Sequence, residues 1–369
     1  FDAASRARYS TDASIYQVDP VGVVVPADET DVAATIDLAR EIGGVKRASG
    51  FEACFAPIRE ADVFKNLDRY NLAGLNRQSL ENIFVEVVST CRAAQEQGRI
   101  AVLGERNGWF YDAALSRFGQ SADVVAVDNF DDFCVELGKS PKNLGFASFT
   151  PEHSPDRLAL VETMLSGKLG IVEEYNFTPE FSLVSNSARD LSEANEICVT
   201  SETLRLMRQF FITLSFDLKI KICRSMSEVC ENLESVNPVA AILPSKLVDT
   251  YQNLVVIKTG LKSEQMPRVK FLTLSSGAGN EYRPGIKTAI MCPLNRGSEH
   301  IYDIVAFMRD HRLEITDIHN LNFVDKPWDT IVIIELILPE DKAKFDALMA
   351  EFQQRGLLAR NCGFFPVFK

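Results

Sequence analysis

The sequence has few of the residues that mark metal, redox and membrane proteins. Its 369 residues include four scattered histidines, and its eight cysteines form no Cys-x-x-Cys pair. A zinc site is therefore not expected, because zinc needs clustered Cys and His ligands. No apolar run reaches the roughly 18 residues of a membrane span, and no basic segment followed by an apolar one opens the chain. We expect a cytoplasmic protein with reduced cysteines.

Basic residues are in the minority. Lys plus Arg number 39 against 51 Asp plus Glu, which gives a net charge of −12. This balance argues against a nucleic-acid or anionic-membrane partner, since both need a basic face. The segment from Gly104 to Gly108 contains neither Gly-x-Gly-x-x-Gly nor Gly-Lys-Ser/Thr. No nucleotide loop, and no cofactor, is therefore expected.

The sequence does carry the composition and patterning of a globular α/β protein. Hydrophobic residues make up 46% and charged residues 24%, and the length favours two or three domains. Apolar spacing predicts helices over 58–75 and 76–97. From residue 99 onward strands alternate with helices, which predicts an α/β layer with parallel strands. The predicted strands are 99–103, 122–127, 144–148, 170–175, 181–184, 218–223, 239–243 and 269–274. The predicted helices are 112–118, 130–137, 201–214 and 226–233.

The last part of the chain has a different element order. After a linker at 277–285 that is rich in glycine, the pattern predicts strand, helix, strand, strand, helix and strand. This βαββαβ order is that of the ferredoxin-like fold. The predicted elements are 287–292, 299–311, 314–322, 330–338, 341–356 and 358–364.

Several short motifs resemble one family in their order and spacing. They are Lys46, Arg59-Glu60 and Phe84–Cys91, then Leu103-Gly104 with Asn107–Phe110, then Arg268–Leu272, and finally Gly285–Asn295 with Lys326-Pro-Trp328. On these residues, 44–369 resemble a P-protein, the bifunctional chorismate mutase and prephenate dehydratase of phenylalanine biosynthesis. The resemblance implies a chorismate-mutase-like helical region at 44–98, a two-lobed dehydratase domain of periplasmic-binding-protein type at 99–280, and an ACT regulatory domain at 284–369.

The resemblance also implies a function. The expected reaction converts prephenate to phenylpyruvate in the cleft between the lobes, with chorismate as a second substrate of the helical region. L-Phenylalanine is the implied effector, and a homodimer or higher oligomer is the implied assembly. The alternative is a catalytically inactive homologue that binds an aromatic metabolite or has a structural role.

The dehydratase reaction expels a hydroxyl group while carbon dioxide leaves, so it needs a proton donor and cationic groups for two carboxylates. By resemblance, Lys270 and Phe271 fall in the family's Thr-Arg-Phe signature, where Val269 replaces the donor Thr. Thr200 and Ser201 fall in its Ser-His-Pro-Gln turn, and they are candidate replacement donors.

The implied mutase site surrounds a dianion with cations. The matching residues are Lys46, Arg59, Glu60 and Gln95, although Asp19 and Thr35 stand near the places of two family arginines. A solvated helical face is the alternative interpretation for Lys46 and Arg59.

The implied effector site lies in the tail. Its residues by resemblance are Asn295, Gly297, Ser298, His319 and Asn320. Glu299 would lie near the ligand carboxylate, where like charges disfavour binding. The alternative is that the tail keeps this fold only to form a dimer and binds no effector.

Residues 1–43 do not fit the P-protein family. The segments 8–17 and 20–26 resemble the start of an FAD-linked oxidase of the vanillyl-alcohol oxidase type. Their pattern predicts a strand at 21–25 and a helix from Asp31 to about Ile42. Because the rest of such a domain is missing, we expect a fusion remnant without FAD.

Overall fold

The computed structural model describes residues 55–67, 76–94, 98–149, 157–214, 218–235, 238–251, 253–262, 268–277, 279–294, 300–322 and 330–369. The segment 1–43, with its predicted strand and helix, lies outside these residues. No helix in the described ranges is long and apolar enough to cross a bilayer. The cysteines in those ranges form no disulfide with one another.

Two helices form the N-terminal part of the described chain. Helix α1 is Pro57–Asn66 and helix α2 is Arg77–Ala93. The side chain of Asn76 caps α2 by accepting a hydrogen bond from Ser79 N at 2.8 Å. Helix α2 packs against the first helix of the next domain, so the helical region is joined to the α/β part.

The first lobe is a six-stranded sheet with three helices. Its strand order is β15-β4-β10-β3-β1-β2. Strands β1, β2 and β3 are parallel, but β10 is antiparallel to both β3 and β4. The elements are β1 Ile100–Leu103, α3 Trp109–Phe118, β2 Val124–Val127, α4 Phe130–Gly138, β3 Leu144–Ser148, α5 Arg157–Leu165, β4 Gly170–Phe177 and β10 Val269–Ser275, with β15 at Val367–Phe368.

The second lobe is a five-stranded sheet with the order β7-β6-β8-β5-β9. Strand β6 is parallel to β7 and β8, whereas β5 is antiparallel to β8 and β9. The elements are β5 Phe181–Ser185, β6 Glu196–Thr200, α6 Ser201–Leu206, α7 Arg208–Ile212, β7 Lys219–Cys223, α8 Met226–Ser235, β8 Val239–Pro244, α9 Ser245–Val248 and β9 Val255–Leu261.

The prediction of parallel strands is therefore wrong for part of both sheets. The chain passes to the second lobe after β4 and returns to the first lobe as β10. A strand that returns in this way runs against its neighbours, which makes each sheet mixed. The predicted helix 201–214 is also two short helices, which meet at Met207.

The tail has the predicted ferredoxin-like order. Its elements are β11 Lys287–Leu294, α10 His300–Asp310, β12 Glu314–Asn322, β13 Thr330–Ile337, α11 Lys342–Gln354 and β14 Arg360–Phe365. The sheet order is β12-β13-β11-β14, and all pairs are antiparallel.

Both faces of the tail sheet are buried. Ile290 and Ile334 face the tail's own helices, while Met291 and Ile333 pack on the first lobe. Strand β15 then joins the edge of the first lobe beside β4. The tail is thus docked on the first lobe, which explains why β11 and β13 are nearly continuous apolar runs.

Candidate active site in the cleft between the lobes

The two lobes face each other at the carboxyl ends of β1 and β6. The loop after β1 contributes Glu105, whose Oε2 accepts a hydrogen bond from Met226 N at the start of α8, at 2.7 Å. Lys246 Nζ in the second lobe donates to Ser116 Oγ in the first at 2.6 Å. Ligands of α/β proteins collect at such strand ends, so this crevice is the candidate active site.

An aromatic cluster forms the base of the cleft. Phe271 is fully buried and stacks on Phe146 with ring centroids 4.7 Å apart. Trp109 and Phe110 lie edge-on to Phe271 at 5.8 and 5.3 Å. This cluster belongs to a core that includes residues of both lobes. Phe271 therefore packs behind Trp109 and Phe110 in this core, and its own ring is not exposed to the crevice.

Acidic side chains surround this crevice. Burial raises the pKa of Glu202 to about 7, the indole N–H of Trp109 and Arg205 lower it, and Glu105 raises it. Burial likewise raises the pKa of Asp112 to about 6, with Lys246 opposing the shift and Asp249 adding to it. Carboxyl groups with pKa values near neutrality can act as proton donors or acceptors.

Comparison with known proteins assigns these two lobes to a family. The prephenate dehydratase family model matches residues 100–278, and the chorismate mutase type II model matches residues 33–96. The chain is 20% identical over 360 residues to the bifunctional chorismate mutase/prephenate dehydratase of Aquifex aeolicus, covering 89% of this chain and 91% of that one.

The chain carries matches to both domain types of the P-protein family, in that family's order. It is a prephenate dehydratase-like protein with a chorismate-mutase-like region, as the sequence motifs predict.

Solved structures agree on the fold. The prephenate dehydratase of Staphylococcus aureus superposes with a TM-score of 0.62 at 11% identity, covering 72% of this chain and 99% of that one. The Arthrobacter aurescens prephenate dehydratase, solved in complex with L-Phe, gives 0.61 at 16% identity over 73% of this chain and 89% of that one. The two-lobed architecture of a P-protein is therefore confirmed.

The residues predicted for dehydratase catalysis do not converge in the cleft. Lys270 alternates with Val269 and Phe271 along β10, so it lies on the other face of the sheet. Its Nζ donates to both carboxylate oxygens of Glu335 in the tail, at 2.9 and 2.8 Å. The expectation that Lys270 supplies a cation to the cleft therefore needs correction, because strand alternation directs this side chain to the tail.

The two candidate hydroxyl donors are also placed differently from the prediction. Thr200 caps α6: its Oγ1 accepts from Thr203 N at 3.1 Å and donates to Thr203 Oγ1 at 2.9 Å. Ser201 is exposed at the first position of the same helix. The Thr200 hydroxyl proton is thus already donated to Thr203 within the helix cap. Glu202, one position further along, is not among the residues predicted from the sequence, although it falls in the same turn.

A predicted effector residue instead lies beside Lys270. His319 Nε2 is 3.0 Å from Asp317 Oδ2 and 3.6 Å from Glu335 Oε1. Lys270 and Lys287 both pair with Glu335. Burial works against the charge of Glu335, but His319 and the two lysines outweigh it and lower its pKa well below the usual range.

Three of these side chains are metal-ligand types. Asp317, His319 and Glu335 have ligand atoms within 4.8 Å of one another. Two ammonium groups already pair with Glu335, and Lys287 also donates to Glu174 at 2.8 Å. The protein's own ammonium groups thus already occupy the carboxylates of this cluster, and we assign no metal to it.

The other predicted effector residues are not part of that cluster. Asn320 is exposed on β12. Asn295, Gly297 and Ser298 lie outside the described residues, so their expected role stays a prediction.

The mutase-like helices direct Glu60 into a buried ion network. Arg92 Nε donates to Glu60 Oε1 at 3.1 Å, and Arg117 of the first lobe donates to Glu60 Oε2 at 3.0 Å and to Glu173 Oε2 at 2.5 Å. Thr273 Oγ1 completes the network by donating to Glu173 at 2.7 Å. Glu60 therefore joins the helical region to the dehydratase lobe, which corrects its expected place in a mutase site.

Of the remaining predicted mutase residues, Arg59 is the one within the described ranges. Arg59 is exposed, as expected for neighbours on a helix, which point in different directions. Lys46 and Gln95 lie outside the described residues.

Proposed function

We propose that this chain is a prephenate dehydratase of phenylalanine biosynthesis, which converts prephenate to phenylpyruvate, water and carbon dioxide. One observation carries the proposal. The dehydratase family match, 100–278, spans the same residues that build the two lobes and the cleft between them. The substrate binds where the strand ends of the lobes meet, above Trp109 and Phe110.

Physical features of the cleft support this assignment. Its aromatic base suits a six-membered carbon ring, which packs against Trp109 and Phe110. The N-termini of α3 and α8 come from opposite lobes, and helix N-termini attract carboxylates. Glu105 already accepts from the first N–H of α8, which supports the preference of this helix end for a carboxylate.

The test is phenylpyruvate formation from prephenate at neutral pH, compared with a protein-free blank. The proposal predicts a rate above the blank. Because Thr200 has its proton in a helix cap, Thr200→Val is expected to lower stability more than turnover. Thr163→Val is the matched control, since that hydroxyl also bonds to its own helix, at 2.7 Å to Ala159 O, but lies in α5 on the other side of the first lobe.

A second candidate is an inactive homologue that binds an aromatic metabolite. The observation in its favour is Val269, which is fully buried and has no proton to donate. Turnover equal to the blank, together with a prephenate-dependent rise in melting temperature, would favour this candidate.

We also propose that the tail binds an amino acid and that the protein is a cytoplasmic homodimer. The Arthrobacter aurescens protein in complex with L-Phe supports the choice of effector. The faces of the tail sheet are covered, but β12 is an edge strand with Ile318 44% exposed, which leaves this edge for pairing with a second copy. A rise in melting temperature on adding L-Phe tests amino-acid binding by the tail. The molecular mass in solution tests the homodimer.

A further inference from the structure

Strand β15, Val367–Phe368, contacts more than its own sheet. Phe368 is 8% exposed, and the centre of its ring lies 3.7 Å from the guanidinium carbon of Arg117 in the first lobe. The same ring lies edge-on to Phe64 of helix α1, with ring centroids 5.9 Å apart. A segment that follows the tail sheet in sequence therefore packs directly on the mutase-like helix α1.

Helix α1 is also bound at two other points. Arg283, in the segment that leads into the tail, donates to both carboxylate oxygens of Asp62, at 2.6 and 2.9 Å. Such bidentate pairs are the stronger kind of ion pair. Glu60 of the same helix accepts from Arg117 at 3.0 Å. Helix α1 is thus held by the first lobe and by the segments that precede and follow the tail sheet.

Strand β4 places this contact next to the docked tail. The adjacent residues Glu173 and Glu174 face opposite sides of the sheet. Glu173 accepts from Arg117 at 2.5 Å on the side of helix α1, whereas Glu174 accepts from Lys287 of the tail at 2.8 Å. Beside them, Glu174 N donates to Pro366 O at 3.0 Å, directly before β15. The ion pairs of α1 and those of the tail therefore meet at one edge of the sheet.

We propose that β15 is a strap that transmits the docking of the tail to the mutase-like helices. In the docked tail, Phe368 covers Arg117 and holds α1 against the first lobe. A single residue, Pro366, separates β15 from the tail strand β14, so a tail that leaves the lobe pulls the strap from the edge of β4. Helix α1 then loses its contact with Phe368 and opens more readily. The inference does not depend on the proposed dehydratase reaction.

Burial explains why one ring can matter here. Arg117 is 3% exposed with Phe368 in place. An ion pair is stronger where water is excluded, and a cation over an aromatic face is stabilised most when both are desolvated. Loss of the ring admits water to the pairs that Arg117 makes with Glu60 and Glu173. The resulting coupling between tail and α1 is reciprocal, because it is a free energy shared by the two sites.

Hydrogen exchange of the full chain, measured on peptides from α1, tests the contact. Phe368→Ala should raise the exchange of α1 by about fivefold or more, while helix α8 of the second lobe keeps its wild-type exchange. Val367→Ala is the matched control, because it shortens a 38% exposed side chain of the same strand. Wild-type exchange of α1 in Phe368→Ala overturns the proposal. If that variant does not fold, Phe368→Leu, which lacks the aromatic face, decides by the same comparison.

Transmission is tested from a distant site. Lys270→Ala removes a contact between β10 and the tail on the face of the sheet opposite to α1. It should raise the exchange of α1, and it should add no further increase in a protein that already carries Phe368→Ala. An unchanged α1 in Lys270→Ala overturns the proposal. An equal increase with and without Phe368 also overturns it, because the effect would then bypass the strap.

Reciprocity gives the reverse measurement. Glu60→Gln loosens α1 from Arg117, so it should raise the exchange of peptides that cover 360–369. Arg59→Gln, which changes the exposed neighbour on the same helix, should leave those peptides unchanged. Faster exchange of α1 in Glu60→Gln without faster exchange at 360–369 would overturn the coupling.

Discussion

Lys270 Nζ lies 2.8 Å from Glu335 Oε2, and this contact joins the central strand β10 of the dehydratase lobe to β13 of the tail. The two residues are 65 positions apart in sequence. Lys270 follows Val269 directly in the chain, so a residue within the signature segment of the dehydratase lobe is bound by the tail.

The first prediction is that Lys270→Ala weakens docking of the tail rather than catalysis. Glu335 would remain buried with one lysine fewer. The expected loss is about 1–3 kcal/mol of unfolding free energy, below that of a fully broken buried pair because Lys287 remains. Chemical denaturation measures it. Lys219→Ala, which removes an exposed partner of Glu196, should leave stability unchanged. Abolished turnover in a fully folded Lys270→Ala protein would contradict this interpretation.

The second prediction concerns acid stability. The folded-state pKa of Glu335 is below its unfolded value, so its contribution is present above the unfolded pKa of about 4.3. It is lost as pH falls below that value, because the unfolded chain then binds a proton that the native state does not. Between neutral pH and about 3, the free energy of urea unfolding should therefore decrease less steeply in Glu335→Gln than in the wild type. Glu340→Gln, an exposed neighbour, should retain the wild-type slope, and equal slopes in both variants would exclude the assignment.

The third prediction is that Glu60 has a structural role. Glu60→Gln leaves Arg92 and Arg117 with one carboxylate fewer in a buried site, which should cost about 3–5 kcal/mol. Thermal unfolding measures the loss, and limited proteolysis should show earlier cleavage of the helical region. Arg59→Gln changes the exposed neighbour on the same helix and is the control. A stable Glu60→Gln protein that has lost chorismate mutase turnover would instead support a mutase role.

The fourth prediction concerns the close approach of β14 to β4. Gly363 has φ +135°, and a Cβ there would lie 2.2 Å from Ile171 O. Gly363→Ala should cost about 1–3 kcal/mol from backbone strain, with the steric clash adding to it. Gly138→Ala is the control, because a Cβ at that helical position meets open space and should stabilise the protein by up to about 1 kcal/mol. Similar melting temperatures for both variants would show that the tail can shift away from β4.

Local periodicity was enough to predict most elements. The tail is the clearest case, since each predicted strand and helix occurs within a few residues of its predicted bounds. Strand β6, Glu196–Thr200, and strand β9, Val255–Leu261, were missed. Strand β6 is short, and β9 alternates between exposed and half-buried positions over much of its length, so neither gives a strong apolar run.

The site was less predictable because its contacts are distant in sequence. Arg117 bonds to Glu60 and Glu173, which are 57 and 56 positions away. No local pattern indicates such a network. Strand alternation, in contrast, was available from the sequence and already separates Lys270 from Val269 and Phe271. The family resemblance by itself takes no account of strand alternation, and it therefore groups Lys270 with the cleft.

The most direct test of the account is the initial rate of phenylpyruvate formation from prephenate at neutral pH, measured against protein concentration with a protein-free blank. The account predicts a rate above the blank that rises in proportion to the protein. A rate equal to the blank at every protein concentration would contradict the assignment as a dehydratase.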